Sequence, residues 1–467
     1  MRDYQSENLS HDAIHGYIPF VSHARVAQDE VSERQIIDHP WVQRLRQIHQ
    51  LQTAWWVFPT AEHTRFQHVI GVMHLGSRAV AALYESLREA CPDVPGRGYV
   101  ESLVRMAGLL HDVGHGPFGH FFDDHFLSTY GLSHETLGGK IIRDELGDLL
   151  RRVRRNPNSR LEDHEQLDPE QIALLIARPK PGADPTALPD WLRLLRALFS
   201  GIYTIDNMDF VLRDAFMSGY NARAFDMERL LHYSFFSPQG LTIHSRGMSA
   251  LVQFMSVRAD LFRTIYFHRT VRAIDLTLAD LFADSKEYLF PGDPRDHMDE
   301  YLRFTEWSLL VDVARWNTST DARKRELGVR WQAFLNRQIP WKMACQRYLV
   351  FAASEIERSS IFSSAEFVEQ ALRACLPAAL SGLKLRVDLA RHIHRPDTRG
   401  PSMGQNFLWD AARGEPRPLV DDQLFRQLPL SHRICRVYAQ DDSHAAQLAA
   451  ALDGLIGPGG NDDLTNM

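Results

Sequence analysis

Cysteine is scarce in this chain. Four residues in 467, at positions 91, 345, 375 and 435, are too few and too scattered for a disulfide framework or a close thiolate metal site. Long apolar runs are absent as well, since none reaches the roughly 20 residues that span a membrane. The opening Met1-Arg-Asp-Tyr-Gln-Ser-Glu7 lacks the apolar stretch of a secretory leader. Positive charge is not in excess: 52 Lys and Arg against 59 Asp and Glu leave a net charge of −7. That balance argues against nucleic-acid binding by the whole surface and leaves room only for a local basic groove. These absences predict a reduced, cytoplasmic protein with no membrane segment.

What is present suits a globular protein. Hydrophobic residues make up 44% and charged residues 24%, which separates the chain from disordered and membrane classes. Its length allows one large core or two domains, and no internal repeat is visible. Helical periodicity dominates. Breaks fall at Cys91-Pro-Asp-Val-Pro-Gly-Arg-Gly98 and Arg178-Pro-Lys-Pro-Gly-Ala-Asp-Pro185, where proline and glycine stop helices. The basic run Arg151-Arg-Val-Arg-Arg155 reads as a solvated helix end. Alternating segments at Leu241-Thr-Ile-His244 and Ile434-Cys-Arg-Val-Tyr438 read as strands, the second followed by a helical pattern from His444. The expected fold is mostly α: a helical core with a helical extension over 1–380, a small α+β lobe over 381–455 and a flexible tail over 456–467.

The chemistry centres on His111-Asp112, within Gly108-Leu-Leu-His-Asp-Val-Gly-His-Gly-Pro-Phe-Gly-His120, at the end of the apolar run Leu103–Leu110. Delivering an imidazole and a carboxylate into a buried setting is costly unless something pairs them, and a divalent metal pairs both at once. The alternative is a His–Asp pair hydrogen-bonded within a core. His68, opening a helical segment, and Asp206, in Tyr203-Thr-Ile-Asp-Asn-Met-Asp-Phe-Val-Leu-Arg-Asp214, complete a set of two imidazoles and two carboxylates. Such a set accepts manganese, iron, nickel, cobalt or magnesium and leaves positions for water and a substrate oxygen.

The ordered set resembles the HD-domain phosphohydrolases, whose signature is a histidine, the HD dipeptide and a distant aspartate. It is closer still to the deoxynucleoside triphosphate triphosphohydrolases, which include bacterial enzymes and the SAM-and-HD-domain enzyme. Asp12-Ala-Ile-His-Gly-Tyr-Ile18, Ile36-Ile-Asp-His-Pro-Trp-Val-Gln-Arg-Leu-Arg46, Val57-Phe-Pro59 and Arg65-Phe-Gln-His68 follow in that group's order. His111-Asp112, His115, His120, Asp123, His134-Glu135, Asp206, Arg213-Asp214, Arg258, Tyr266 and His268 continue it. The resemblance implies an HD-domain helical core, one divalent metal ion, a nucleotide substrate and a homo-oligomer, dimer or tetramer.

By that resemblance His115, His120, Asp123, His134 and Glu135 carry proton transfer and α-phosphate contacts, with His120 favoured as the acid. His115 lies four residues beyond His111, so a continuing helix would put both on one side. Gly116-Pro117 then breaks the helix and redirects the chain toward His120. Arg65, one turn before His68, can reach a metal-bound phosphate. Arg258, Phe262 and Tyr266 form one stripe at four-residue spacing, and Asp206, Phe210 and Asp214 form another. Gln50-Leu51 matches a segment near sugar and base, and Tyr266 is expected to exclude a 2′-hydroxyl. Asn207, Phe210 and Phe262 depart from the SAM-and-HD-domain pattern of lysine, tyrosine and histidine, which weakens recognition of a triphosphate more than of a monophosphate.

Asp38, Gln43 and Arg46 match residues around an effector nucleotide site. The alternative is that Arg44 and Arg46 hold helices together by ordinary ion pairs. The leading expectation is cleavage of a deoxynucleoside triphosphate into deoxynucleoside and triphosphate. Alternatives are hydrolysis of a nucleoside monophosphate or cyclic nucleotide, and a nucleotide-sensing or nucleic-acid-binding module with weak activity. A cyclic-dinucleotide esterase lacks support, because its Gly-Tyr-Pro signature is missing from the sequence.

Overall fold

The apolar run ahead of His111 folds as the second of two long helices that pack against each other at the centre of the molecule. A computed structural model describes residues 4–24, 26–177, 188–351, 360–393, 406–428 and 431–456. The chain opens with an antiparallel hairpin, β1 (Glu7–Asp12) and β2 (Gly16–Val21). Helix α1 (Arg65–Ala90) begins where the Gln67 side chain accepts the Thr64 amide at 2.6 Å, satisfying one of the free donors of a helix start. Helix α2 (Arg97–Leu110) follows the expected break at 91–98 and is buried along almost its whole length. The break expected at 178–185 lies outside the described residues.

Shorter helices α3 (His120–His125) and α4 (His134–Asp144) follow, then α5 (Ile205–Met217), where the Thr204 hydroxyl accepts the Asn207 amide. Strands β3 (Ser234–Ser237) and β4 (Gly240–His244) lead into α6 (Met248–Leu261). A π turn, Phe262–Tyr266, separates α6 from α7 (Arg269–Leu289), and α8 (Met298–Arg303) comes next. One apolar cluster joins these helices. Among the described residues, no helix is long and apolar enough to cross a membrane. The fold is mostly α with small sheets, as the sequence predicts.

The α+β lobe differs in extent from the expected 381–455. Its three-stranded antiparallel sheet has β9 (Ser431–Ala439) at the centre, flanked by β5 (Lys342–Phe351) and β6 (Leu385–Ile393). The lobe therefore starts near residue 342. Helices Ala365–Cys375 and Ala445–Ile456 supply Val368, Leu372, Leu448 and Leu452 to a core separate from the main one. In addition, β7 (Phe407–Asp410) and β8 (Glu415–Pro418) leave the lobe to join β3 and β4, with Thr242 opposite Phe407 in parallel register. Strand pairing over long sequence separation set these limits, and alternation of residue types carries no record of it. Of the expected tail, residues 457–467 lie outside the described residues. The basic run bonds at its own surface, Arg151 to Asp148 and Arg152 to the carbonyls of Gln28 and Asp29.

Candidate active site

Four of the predicted ligands converge. His68 comes from the first turn of α1, His111-Asp112 from just beyond the end of α2, and Asp206 from the first turn of α5. The Nε2 atoms of His68 and His111 face each other at 3.2 Å. Asp206 Oδ1 lies 3.1 Å from the first and 3.6 Å from the second, and Asp112 Oδ1 lies 3.4 Å from His111 Nε2. Each ring is oriented from behind. His68 Nδ1 donates to Asp209 at 2.8 Å and His111 Nδ1 donates to the Gly108 carbonyl at 2.8 Å, so both Nε2 atoms turn inward. Imidazoles held by their far nitrogen with Nε2 converging are the arrangement of a metal site. The donor set fits one divalent ion, and His68, His111 and Asp112 form the tightest grouping.

Charge balance in the metal-free cluster leans toward protonated histidine. Burial disfavours the His68 cation, but bonds to Asp206 and Asp209 outweigh it and raise the ring's pKa to about 10. His111 is raised as well, its burial overcome by Asp112 and Asp206. Asp112 and Asp206 are held below the usual carboxylate range, despite burial, by the histidines around them and, for Asp112, by Arg65. The Asp209 network was missed in the sequence. Asp209 also accepts from His15 at 2.7 Å and twice from Arg213, which in turn donates to Asp12 at 2.8 Å. Asp12 and His15 belong to the opening motif quoted above, so the signal was present without an assigned role.

A second cluster abuts the first. Helix α2 stops at Leu110, and the chain turns through Asp112–His115, so the continuing helix expected to carry His115 is not formed. Instead the turn itself brings His115 Nε2 to 3.3 Å from Asp112 Oδ1. The Gly116-Pro117 break then redirects the chain as anticipated, through Phe118 and Gly119, both at positive φ. At Gly119 (φ +57°) a Cβ would lie 2.2 Å from the Arg65 guanidinium, so glycine is required twice over. The next residue, His120, has its ring 4.8 Å from that of His115. His134, starting α4, stacks on His115 at 3.7 Å. Asp123 bonds His134 and lies 3.4 Å from His120 Nδ1 and 3.9 Å from His115 Nδ1. Glu135 occupies the first turn of α4, half-buried.

The two clusters differ electrically. Burial, with the charges of Arg65 and His134, holds His115 well below the usual imidazole range, so its ring is neutral. Asp123 stays ionised against its burial because three histidines surround it. His120 is 63% exposed and so can reach a ligand from the open side. His115, His120, Asp123 and His134 also form a group whose donor atoms are close enough to hold an ion.

The remaining predicted residues divide. Arg65 Nη1 pairs with Asp112 Oδ2 at 2.6 Å. Asp214 accepts from Tyr266 at 2.5 Å and from His63 at 2.7 Å, a partner the sequence reading missed. The Arg258–Tyr266 stripe is interrupted, since α6 ends at Leu261 and the π turn follows. Arg258 donates to the Ile202 carbonyl at 3.1 Å. Phe262 stacks against His392 of the lobe at 4.2 Å and meets the Tyr266 ring edge-on at 4.8 Å. Phe210 is half-buried, and Leu51 belongs to the main core. Among the described residues, buried polar atoms without a hydrogen-bond partner include Gln50 Oε1, Arg65 Nε, Arg258 Nε, His115 Nδ1 and Asp123 Oδ1. Groups of that kind are normally paired, so their presence among these residues points to a ligand.

Around the expected effector segment, Asp38 pairs with Arg34 at 3.1 Å, Gln43 accepts from Arg46 at 2.8 Å, and Arg46 lies 3.6 Å over the Phe66 ring. The ion-pair role considered for Arg44 is corrected: its guanidinium meets main-chain carbonyls.

Comparison with known proteins follows the same residues. The model of the HD domain matches residues 65–177, which contain both halves of the histidine cluster. The uncharacterized protein YwfO of Bacillus subtilis is 28% identical over 351 residues, covering 71% of this chain and 71% of its own length. A deoxynucleoside triphosphate triphosphohydrolase SAMHD1 homolog of Dictyostelium discoideum is 27% identical over 66% of this chain and 55% of its own length. The human SAMHD1 protein is 27% identical over 60% of this chain and 44% of its own. The chain thus spans about half the length of the SAMHD1 relatives it matches. A crystal structure of a hypothetical protein from Aquifex aeolicus shares the fold, with a TM-score of 0.65 at 22% identity over 96% of this chain and all of that one. The chain thus carries a region matching the HD domain over residues 65–177, where His68, His111 and Asp112 lie.

Proposed function

We propose that this protein hydrolyses a deoxynucleoside triphosphate to deoxynucleoside and triphosphate. The observation that carries the reading is the junction of the two clusters at Asp112, which lies 3.4 Å from His111, 3.3 Å from His115 and 2.6 Å from Arg65. His68, His111, Asp112 and Asp206 would hold the divalent ion. When bound, that ion polarises a phosphoryl oxygen and lowers the pKa of water. The chain's own residues supply the rest.

Arg65, fixed beside Asp112 and Gly119, meets the α-phosphate. Water adds its oxygen to the α-phosphorus and releases a proton to solvent as the bond to O5′ breaks, and O5′ leaves with a proton from His120. Asp123 keeps the His120 and His134 rings in place and accepts their positive charge. The neutral His115 fills the space between the two clusters as a hydrogen-bonding group. Asp214, held between His63 and Tyr266, presents a carboxylate for a sugar hydroxyl, and the Tyr266 ring closes the space a 2′-hydroxyl would need. The relatives named as deoxynucleoside triphosphate triphosphohydrolases favour this substrate class.

A nucleoside monophosphate is the second reading, favoured by the state of the arginines. Arg65 is already paired with Asp112, and Arg258 is buried against a carbonyl with its pKa lowered, chiefly by burial, to about 10. Product analysis decides between them. Purified protein loaded with each of manganese, iron, nickel, cobalt and magnesium is given dNTPs, NTPs and monophosphates, and products are separated by chromatography. Release of intact triphosphate from dNTPs is expected. Orthophosphate from monophosphates alone would replace the first reading with the second.

A further inference from the structure

Arg44 is a buried cation that the proposed chemistry leaves unused. Among the described residues it meets no carboxylate, although an enclosed guanidinium without partners is strongly unfavourable. Five main-chain carbonyls satisfy it instead. Nη1 donates to His115 O at 2.6 Å and Val113 O at 3.4 Å. Nη2 donates to Phe304 O at 2.8 Å and Tyr301 O at 3.2 Å, and Nε donates to Leu302 O at 3.3 Å. The Tyr301 hydroxyl donates to Gly114 O at 2.8 Å, and the Arg44 guanidinium lies over the Tyr301 ring at 4.9 Å.

Three successive carbonyls, those of residues 113, 114 and 115, are therefore gripped from one side. The other side is closed by α4. A Cβ at Gly114 would lie 2.1 Å from His134 O and 2.5 Å from Gly138 N, so the turn is seated directly on the helix that carries His134. The His115 ring touches Asp112 Oδ1 at 3.3 Å through Nε2 and stacks on His134, so its position follows from the backbone of the turn that carries it between them. Only a planar fork can serve carbonyls from two separate segments at once. A lysine ammonium has the charge and lacks that geometry.

We propose that Arg44, together with Tyr301, is a positioning residue that clamps the 113–115 turn and so sets the His115–His134 stack beside Asp123. The proposal rests on the reading of that cluster as the proton-transfer side of the site. It also gives the 36–46 segment a role inside this chain, distinct from binding an effector.

The test uses the full-length protein with Arg44→Lys and Tyr301→Phe, reading imidazole ¹⁵N resonances, metal content, kcat and KM. Arg44→Lys should displace the His115 and His134 resonances and leave those of His15 and His49 unmoved. Its kcat should fall by about 10²-fold, the loss expected from a small misplacement, with KM within about twofold and metal content retained. Tyr301→Phe, which loses one hydroxyl bond, should shift the same resonances less and lower kcat by about tenfold or less. If Arg44→Lys does not fold, Tyr301→Phe decides alone. Folded variants with unmoved His115 and His134 resonances and wild-type kcat would overturn the clamp. Absence of nucleotide turnover in the wild-type protein would instead count against the substrate reading, with the resonances still deciding the clamp.

Discussion

The two histidine clusters are built from the same residue types, touch at Asp112 and behave in opposite ways. Around His68 and His111 the carboxylates outweigh burial and pull the rings toward protonation. Around His115, burial and neighbouring cations win and the ring stays neutral. The difference lies in who faces whom. His68 has Asp206 at 3.1 Å on one nitrogen and Asp209 at 2.8 Å on the other, whereas His115 has Asp112 and Asp123 only at 3.3 and 3.9 Å, with an imidazole stacked on it and an arginine nearby. A cluster rich in carboxylate attracts positive charge of any kind, a proton or a metal. A cluster short of carboxylate keeps one buried ring neutral. Two imidazoles with two carboxylates suit the metal holding proposed for one side, and three imidazoles with one carboxylate suit the proton transfer proposed for the other.

Removing a carboxylate from the first cluster should break this contrast most severely. Asp206→Ala is expected to abolish metal retention, measured by elemental analysis, along with turnover, while circular dichroism stays native. Unchanged metal stoichiometry would take Asp206 out of the site. The second cluster should respond differently. His120→Ala is expected to retain its metal and to lose roughly 10²–10⁴-fold in kcat, the usual contribution of a general acid. A near-normal kcat with altered KM would make His120 a binding residue.

Asp209→Asn sharpens the comparison without touching a ligand. The amide can no longer hold the His68 Nδ1–H as an anion does, so metal affinity should drop by about 10–100-fold in a competition titration with a chelator. Equal affinity would reduce Asp209 to a purely structural ion. The smallest effect is on pH. With the His68 pKa raised to about 10 in the metal-free protein, metal must displace that proton, so affinity should rise by about tenfold per pH unit below that value for each proton released. For the metal-free fold the sign reverses. The stabilisation from His68 is complete below its unfolded pKa near 6.5 and is lost as pH rises toward about 10. Calorimetry in buffers of different ionisation enthalpy reads the proton count, and no release between pH 6 and 9 would contradict the raised pKa.

How much of this was legible in the sequence depends on how local the cause was. The long helices, the break at 91–98 and the redirection at Gly116-Pro117 are written in periodicity and in backbone chemistry, and all were read. The residues that converge at the candidate metal site were readable through an ordered motif. The end of α2 before His111 was not, because Asp112–His115 carries no strong helix breaker except Gly114, and the turn is fixed by contacts with Arg44, Tyr301 and α4. Asp209 lay in plain view within the Asp206 segment, but its partners His15 and Arg213 come together only in the fold. The reach of the three-stranded sheet was not legible for a similar reason: β5 finds β9 across some eighty intervening residues of chain, a pairing no local pattern announces.

The π turn at Phe262–Tyr266 has a consequence for how this site tolerates insertion and deletion. Its closing bond runs from the Phe267 amide to the Phe262 carbonyl, five residues back, so the turn holds one residue more than an α-helix would. Deleting a single residue between Leu261 and Tyr266 would allow the α register to continue. The bond from the Phe267 amide to the Phe262 carbonyl would then close an ordinary α turn, so the wide turn holds its extra residue while the chain on either side keeps nearly the same facing. A lineage could therefore gain or lose one codon within this turn and still keep a tyrosine facing the carboxylate of Asp214.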